Sequence, residues 1–263
     1  METKKYLEDY YQSYDEEGRL LSRHGMVEYL TTMHYIEKYL KPGMRIIEIG
    51  AGTGRYSHAL AQKGYFVDAV ELIEHNIEIF RQHTLPGESV TIMQGNATDL
   101  SAFADATYDI TLLLGPMYHL FTKEEQQRAL SEALRVTANN GIVFAAYCMG
   151  DASILCYGFI RGHIYEIINK CMIDTKTFQA FSKPWDLFEL YRREDIDALR
   201  SQFPVEQLHF VASDGYTNHM RDVVDAMDDA TYKLFLQYHF ATCERQDMVG
   251  YSHHTLDIFR KKY

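Results

Sequence analysis

Cysteine is scarce in this chain, and the cysteines that are present lack the spacing of a disulfide or metal framework. The 263 residues include four cysteines, none in a C-x-x-C pair or near a histidine at zinc spacing. His253 and His254 are adjacent, and adjacent residues of a strand point to opposite faces. The sequence therefore predicts reduced, mostly buried thiols and no metal site.

Basic side chains are also fewer than acidic ones. The chain carries 26 basic and 37 acidic side chains, a formal net charge of -11. Affinity for nucleic acid comes mainly from Lys and Arg, which neutralise phosphates. This balance argues against nucleic acid as a general partner.

Long apolar runs are missing as well. No stretch approaches the roughly 18 apolar residues of a membrane span. The amino terminus, METKKYLEDYY, is polar and acidic, whereas a secretory signal is basic and then apolar. We therefore expect a cytoplasmic protein with no membrane partner. Its composition, 46% hydrophobic and 24% charged, is typical of globular proteins.

Short apolar strands alternate with amphipathic helices in the first half of the chain. The strands are predicted at Arg45 to Ile49, Phe66 to Val70, Val90 to Gln94, Tyr108 to Leu114 and Ile142 to Tyr147. Thr122 and Glu125 have the spacing of a capping box that opens a helix, and Asn139-Asn140-Gly141 is expected to form a turn. The alternation predicts an α/β fold with a doubly wound, Rossmann-like parallel sheet.

The remaining segments are expected to add helical caps to this core. The predicted parts are an N-terminal helical segment over the expected ligand site (1–40), an α/β core (41–150), an aromatic-rich helical lid (151–204) and a C-terminal part (205–263). Within the last part, Val205 to Ala212 and Thr255 to Phe259 are expected to be strands of the core sheet, around a helical insertion at 217–244.

A glycine-rich turn follows the first predicted strand. It reads Glu48-Ile49-Gly50-Ala51-Gly52-Thr53-Gly54, and such turns let a ligand approach backbone amides. The dinucleotide fingerprint G-x-G-x-x-G is not matched, because the third glycine comes one position early and Arg55 takes its place. A carboxylate at Glu48 would repel a pyrophosphate but favour an ammonium or sulfonium group. The turn therefore indicates a cationic ligand.

Polar residues follow the next two predicted strands. Glu71 stands 21 positions after Gly50, the distance at which an acidic side chain takes both hydroxyls of a ribose. Asn96, in the segment G-N-A-T-D-L, is able to accept from an exocyclic amine and donate to a ring nitrogen. Together these residues predict an adenosine with a positively charged tail.

With these motifs the sequence resembles the class I S-adenosylmethionine-dependent methyltransferases. The resemblance rests on EIGAGTG at Glu48 to Gly54, VEL at Val70 to Leu72, GNA at Gly95 to Ala97 and LLLGPMYHL at Leu112 to Leu120. The segment LGPMYHL is similar to a form seen in a bacterial subgroup. The resemblance implies a seven-stranded sheet with an antiparallel final strand. It also implies S-adenosylmethionine as cofactor and S-adenosylhomocysteine as product.

The resemblance also assigns residues to the donor. Gly50, Gly52 and Gly54 would cradle the methionyl part and Glu71 the ribose. The adenine would meet Asn96 and Ala97, although the family usually has Asp at the position of Asn96, with Leu72 packed on its ring. The donor residues are completed by Glu48, Ala51, Leu114 and Arg23. Arg23 would meet the methionyl carboxylate, and a solvated charge on a helix is the alternative interpretation.

Tyr118 and His119 follow the fourth predicted strand, next to the expected position of the transferred methyl group. His119 is suited to take a proton from an acceptor, and Tyr118 to orient the acceptor or face the sulfonium. The alternative for His119 is a hydrogen-bonded structural histidine at a helix entrance. These two residues are the candidate catalytic pair.

The sequence thus predicts a methyltransferase that acts on a small molecule, as a monomer or homodimer. The expected lid would cover the acceptor side, and the net charge disfavours nucleic acid. A protein or RNA methyltransferase, a nicotinamide oxidoreductase and a module that binds the donor without turnover stay open as alternatives. The acceptor and its reacting atom are not identified by the sequence.

Overall fold

One eight-stranded sheet organises the chain, in a computed structural model that describes residues 2–12 and 22–263. The strands are β1 (Arg45–Ile49), β2 (Phe66–Glu71), β3 (Val90–Gln94), β4 (Tyr108–Leu113), β5 (Thr137–Met149), β6 (Leu190–Tyr191), β7 (Val205–Ala212) and β8 (His254–Lys261). Their order is β3-β2-β1-β4-β5-β8-β7, and β6 pairs with the end of β5. Residues 1 and 13–21 of the predicted N-terminal segment lie outside the described residues.

Helices flank the sheet and connect its strands. They are α1 (Glu2–Tyr11), α2 (Arg23–Tyr39), α3 (Arg55–Gln62), α4 (Glu74–His83), α5 (Lys123–Val136), α6 (Gly150–Ser153), α7 (Ile164–Asn169), α8 (Arg193–Arg200), α9 (Arg221–Asp225) and α10 (Asp229–Thr242). The predicted capping box opens α5, since Glu125 N donates to Thr122 Oγ1 at 3.2 Å and Thr122 N donates to Glu125 Oε2 at 3.3 Å. No helix in the described part of the chain is both long and apolar enough to span a membrane.

The strands β1 to β5 are parallel, and β8 runs antiparallel between β5 and β7. Apolar side chains on both faces of β1 and β4 are buried, which explains why these strands read as almost continuous apolar runs. The α/β class and the antiparallel final strand are confirmed. The predicted seven strands form the continuous path of the sheet. Leu190 and Tyr191 add a short eighth strand off this path, beside Cys148 and Met149.

The predicted turn at Asn139-Asn140-Gly141 lies inside β5 instead of preceding it. The pairing with β4 shifts register between Tyr108 and Ile110, and Asn140 adopts a φ of 63°. Asparagine tolerates this left-handed region better than most residues. The turn signal therefore marks an irregularity within a long strand.

The expected lid is helical only in part. After α6 come a π-helical segment (Ile154–Ile160) and α7, whereas residues 170–189 are mostly turns and extended chain. Ile196 and Leu199 of α8 are buried in the main core beside the sheet. Helix α8 therefore packs as part of the core layer, although it lies within the range predicted as lid.

Candidate functional site

The glycine turn after β1 lies at the edge where the parallel strands end. The amides of Gly50 and Ala51 both donate to Val70 O, at 2.8 and 3.0 Å, which joins this turn to β2. Gly50 has a φ of +79°, and a Cβ there would lie 2.6 Å from Pro116 Cδ. Only glycine allows the turn to approach the segment after β4 this closely.

Gly54 has a different role from the other two glycines. It precedes α3 with a φ of +93°, and a Cβ at this position would overlap the Phe80 ring. Gly50 and Gly52 line the cavity described below. Gly54 permits close packing of α3 against α4, a role that the sequence did not predict, and its place at the methionyl group stays a prediction.

Glu48 is buried at the end of β1, with 1% of its surface exposed. The Ser57 hydroxyl donates a short hydrogen bond to its carboxyl group. Burial nevertheless raises the pKa of Glu48 to about 8, and the nearby charge of Glu71 adds to the effect. Burial thus favours the protonated form of this carboxyl group, and a nearby cation would favour its ionisation.

Glu71 ends β2 and ties the neighbouring loops together. Its carboxylate accepts from Gly52 N at 2.8 Å, Ile73 N at 2.9 Å and Asn76 Nδ2 at 3.4 Å. Burial raises the pKa of Glu71, and these hydrogen bonds oppose the increase. A carboxylate has about four acceptor positions, so Glu71 retains capacity for a ligand hydroxyl.

A first cavity of about 660 Å³ opens beside the turn and Glu71. Its volume is within the usual range for small-molecule sites. The predicted donor residues that line it are Glu48, Gly50, Ala51, Gly52, Glu71, Leu72, Asn96, Ala97 and Leu114. Helix α1 contributes Leu7 and Tyr11 to the opposite wall. The fold therefore brings most of the predicted donor residues to one cavity.

Asn96 lines this cavity, but its carbonyl oxygen is already engaged. Asn96 Oδ1 accepts from both the backbone N and the hydroxyl of Thr98, each at 3.0 Å. This is a local turn of the kind that Asn favours. The two-way recognition of an adenine edge is corrected accordingly: the Nδ2 amide is the group suited to a ligand, as a donor.

Arg23 lies away from the first cavity. Its guanidinium donates to Asp229 Oδ1 at 2.6 Å and lies 5.2 Å from the ring centroid of Tyr232, both in α10. These contacts hold α2 against α10, so the assignment of Arg23 to the donor is corrected. Arg55, which interrupts the dinucleotide pattern, lines the cavity and lies over the Tyr29 ring at 4.4 Å.

Tyr118 and His119 line the first cavity from the short 3-10 helix after β4. Tyr118 donates its hydroxyl to Leu114 O at 2.9 Å. The Leu187 carbonyl accepts from His119 Nδ1 at 2.7 Å, so the lone pair of the neutral ring is on Nε2, which lies 3.1 Å from the Tyr11 hydroxyl. Burial lowers the pKa of His119 to about 4. His119 is thus neutral and connects α1 to the segment before β6.

A second cavity of about 1070 Å³ adjoins the first. Both cavities are lined by Tyr11, Glu28, Tyr118 and His254. Aromatic side chains, among them Tyr10, Tyr157, Phe181 and Phe188, form part of the second cavity's wall. The two cavities therefore meet at a polar and aromatic junction.

The junction contains a charged group that the sequence analysis missed. His254 Nδ1 donates to Asp214 Oδ2 at 2.8 Å and lies 3.4 Å from Glu28 Oε2. Burial opposes the charge on His254, but the two carboxylates outweigh it and raise the pKa of His254 well above its ordinary value. The adjacency of His253 and His254 predicts that their side chains point to opposite faces, and they do lie in different clusters. The residues that complete each cluster come from distant segments, so the sequence does not reveal them.

Comparison with known proteins agrees with this geometry. Residues 47–145 match the family model described as "Methyltransferase domain". A ubiquinone biosynthesis O-methyltransferase from Methylocella silvestris is 32% identical over 180 residues, which cover 68% of this chain and 68% of that protein. The chain belongs to the class I S-adenosylmethionine-dependent methyltransferases.

Other methyltransferases match over shorter or more divergent stretches. A demethylmenaquinone methyltransferase from Clavibacter sepedonicus is 35% identical over 100 residues, which span 38% of this chain and 39% of that protein. A Thermotoga maritima protein, described as a possible histamine N-methyltransferase, has a similar fold. Its TM-score is 0.59 at 18% identity, over 99% of this chain and 100% of that one. Within the described residues, the class I methyltransferase fold therefore extends well beyond the segment 47–145.

S-adenosylmethionine is the cofactor of this methyltransferase family, and the first cavity has the chemistry to hold it. The glycine turn admits a ligand to the backbone, and Glu71 retains an acceptor position for a hydroxyl. The buried Glu48 carboxyl group gains a favourable partner when a cation is near. The residues of the first cavity therefore fit an adenosyl group with a positively charged sulfur.

Proposed function

We propose that this methyltransferase transfers a methyl group to a small molecule held in the second cavity. The observation that carries the proposal is the junction of the two cavities at Tyr11, Glu28, Tyr118 and His254. Among the described residues, these four are where an acceptor in the second cavity would meet a donor in the first cavity. In-line displacement requires this kind of end-to-end placement.

The residues proposed to hold the donor are those that line the first cavity. Gly50, Ala51 and Gly52 would surround the methionyl part, Glu71 the ribose, and Asn96 Nδ2 with Ala97 and Leu72 the adenine. Glu48 and Leu114 would complete this wall. When bound, S-adenosylmethionine supplies a methyl group on a positively charged sulfur, which is already an activated leaving group.

Positioning is the main contribution expected from the chain itself. Placing two reactants in near-attack geometry lowers a barrier by about 7 to 11 kcal/mol. Tyr118 lines both cavities and is proposed to contact the acceptor, whereas His119 lines the first cavity beside it. His119 Nε2 lies 3.1 Å from the Tyr11 hydroxyl, which favours a structural role for His119 over proton transfer.

The second cavity suits an acceptor with an apolar, ring-containing body and a polar end. Tyr157, Phe181 and Phe188 supply aromatic surface, while Arg161 and Lys170 supply hydrogen-bond donors. The Methylocella silvestris relative is named for O-methylation in ubiquinone biosynthesis, which supports a ring-bearing acceptor here. A large polymer would require a more open binding surface, which favours a small molecule over the protein or RNA alternative.

A cavity-filling variant tests this proposal. Ser182 lines the second cavity and not the first, so Ser182→Trp should raise the KM for the acceptor and leave donor affinity unchanged. Ser182→Ala, which adds no bulk, is the matched control. Formation of S-adenosylhomocysteine would be measured with panels of phenols, amines, thiols and carboxylic acids. Equal turnover of an acceptor by wild type and Ser182→Trp would place the acceptor outside the second cavity.

A further inference from the structure

Three metal-binding side chains from distant parts of the sequence meet beside the second cavity. Cys156 lies in the π-helical segment after α6, His219 ends the short 3-10 helix Thr217–His219, and His253 precedes β8. Their ligand atoms all lie within 4.8 Å of one another. His253 also lines the second cavity. The cluster thus connects the segment after β5 to the C-terminal part of the sheet.

One ring nitrogen of each histidine in this cluster lacks a hydrogen-bond partner among the described residues. His219 Nε2 donates to the Tyr251 carbonyl at 2.7 Å, which leaves the lone pair of the neutral ring on Nδ1. His219 Nδ1 and His253 Nε2 are both buried and have no partner among the described residues. An unsatisfied buried polar atom costs about 1 to 3 kcal/mol, so two of them facing one cluster call for a ligand.

The donor set matches one class of ligand. Zinc prefers thiolate and imidazole ligands. The Tyr251 carbonyl accepts from His219 and so orients its ring, as hydrogen-bond partners of zinc-binding histidines commonly do. A tetrahedral zinc ion would draw the three atoms to about 3.3 to 3.7 Å apart.

A neighbouring cluster does not share these features. Glu28, Asp214 and His254 also lie within 4.8 Å of one another. His254 Nδ1, however, already donates to Asp214 at 2.8 Å. Because these groups satisfy one another, they do not require a metal ion.

We propose that Cys156, His219 and His253 form a zinc site with three protein ligands. Such a site leaves a fourth coordination position for water or another small ligand. Zinc binding would hold the segment after α6 against the start of β8 and so order one wall of the second cavity. The cysteine spacing alone gives no indication of this site, because the ligands are separated by more than sixty residues at their widest gap, between Cys156 and His219.

The test is metal binding by the full chain, purified under reducing conditions and stripped with a chelator. We expect one zinc ion per chain to rebind, and Co²⁺ in its place to give a thiolate-to-cobalt charge-transfer band. In Cys156→Ser the band should disappear and zinc affinity should fall more than about 100-fold, because loss of second-shell support alone costs 10- to 100-fold. Cys171→Ser removes an exposed free cysteine outside the cluster and should change neither readout.

His253→Gln gives a second variant that weakens zinc binding while the thiol is retained, and circular dichroism checks that each variant is folded. None of these measurements requires methyl transfer, so their outcome is independent of the proposed function. Zinc binding that is absent in the wild type, or equally tight in Cys156→Ser, would overturn the proposal. A cobalt band that survives in Cys156→Ser would do the same.

Discussion

Replacement of Glu71 with alanine should weaken donor binding and also destabilise the loops around the site. The carboxylate accepts from the amides of Gly52 and Ile73 at 2.8 and 2.9 Å. Leaving these two donors unsatisfied is expected to cost about 2 to 6 kcal/mol of unfolding free energy, at about 1 to 3 kcal/mol each. Separately, loss of the ribose contact should make the free energy of donor binding less favourable by about 1 to 3 kcal/mol, which is about a 5- to 150-fold loss of affinity.

Calorimetric titration with S-adenosylhomocysteine would measure the binding term, at a temperature where circular dichroism shows the variant to be folded. Glu71→Gln provides a milder change, because the amide keeps one acceptor oxygen. Glu74→Ala is the matched control and should leave affinity unchanged, since this exposed residue pairs with Arg81 at 3.4 Å and is not among the described residues that line the first cavity. A folded Glu71→Ala variant with wild-type affinity would refute the assignment of Glu71 to the donor.

Other predictions concern stability and pH. Gly54→Ala should cost about 2 to 5 kcal/mol of unfolding free energy, because it adds a clash with Phe80 to left-handed strain, whereas Gly43→Ala has the strain alone and should cost about 1 to 2 kcal/mol; equal values from denaturant titration would contradict this. The contribution of Glu48 to the unfolding free energy should decrease as pH rises from about 5 to 8, by up to about 5 kcal/mol, because the folded chain holds the Glu48 proton until about pH 8 and the unfolded chain releases it near 4.5. The difference in unfolding free energy between wild type and Glu48→Gln should therefore change over this range, and a difference that is constant with pH would exclude this role of Glu48. Burial lowers the pKa of His119 to about 4, so His119 should not titrate near pH 6.5. The pH profiles of turnover of the wild type and His119→Gln should therefore have the same shape around pH 6.5.

Much of the sheet could be predicted because its signals are local. The strand at Arg45 to Ile49 and the strand at Val90 to Gln94 have the predicted bounds. The first is an apolar run that is buried, and the second follows the Pro86-Gly87 turn, so in both cases the signal lies in neighbouring residues. The capping box at Thr122 and Glu125 is likewise a short-range pattern. Strand β6 was missed because two residues that pair with the end of β5 leave no periodic pattern.

The donor side of the site was more predictable than the acceptor side for the same reason. Glu71 and the glycine turn follow consecutive strands, and parallel strands bring their carboxyl ends to one edge. The protonation of Glu48 depends on its burial by the finished fold, which the sequence does not show. The roles of Arg23 and His254 depend on partners about 200 residues away, Asp229 and Glu28, so only the tertiary structure reveals them.

The most direct test of this account is calorimetric titration of the unmodified chain with S-adenosylmethionine and S-adenosylhomocysteine, with NAD as a comparison ligand. The first cavity predicts saturable binding of one adenosyl ligand per chain for the first two compounds and none for NAD. Absence of binding by both adenosyl compounds, or tighter binding of NAD, would contradict the assignment of this cavity.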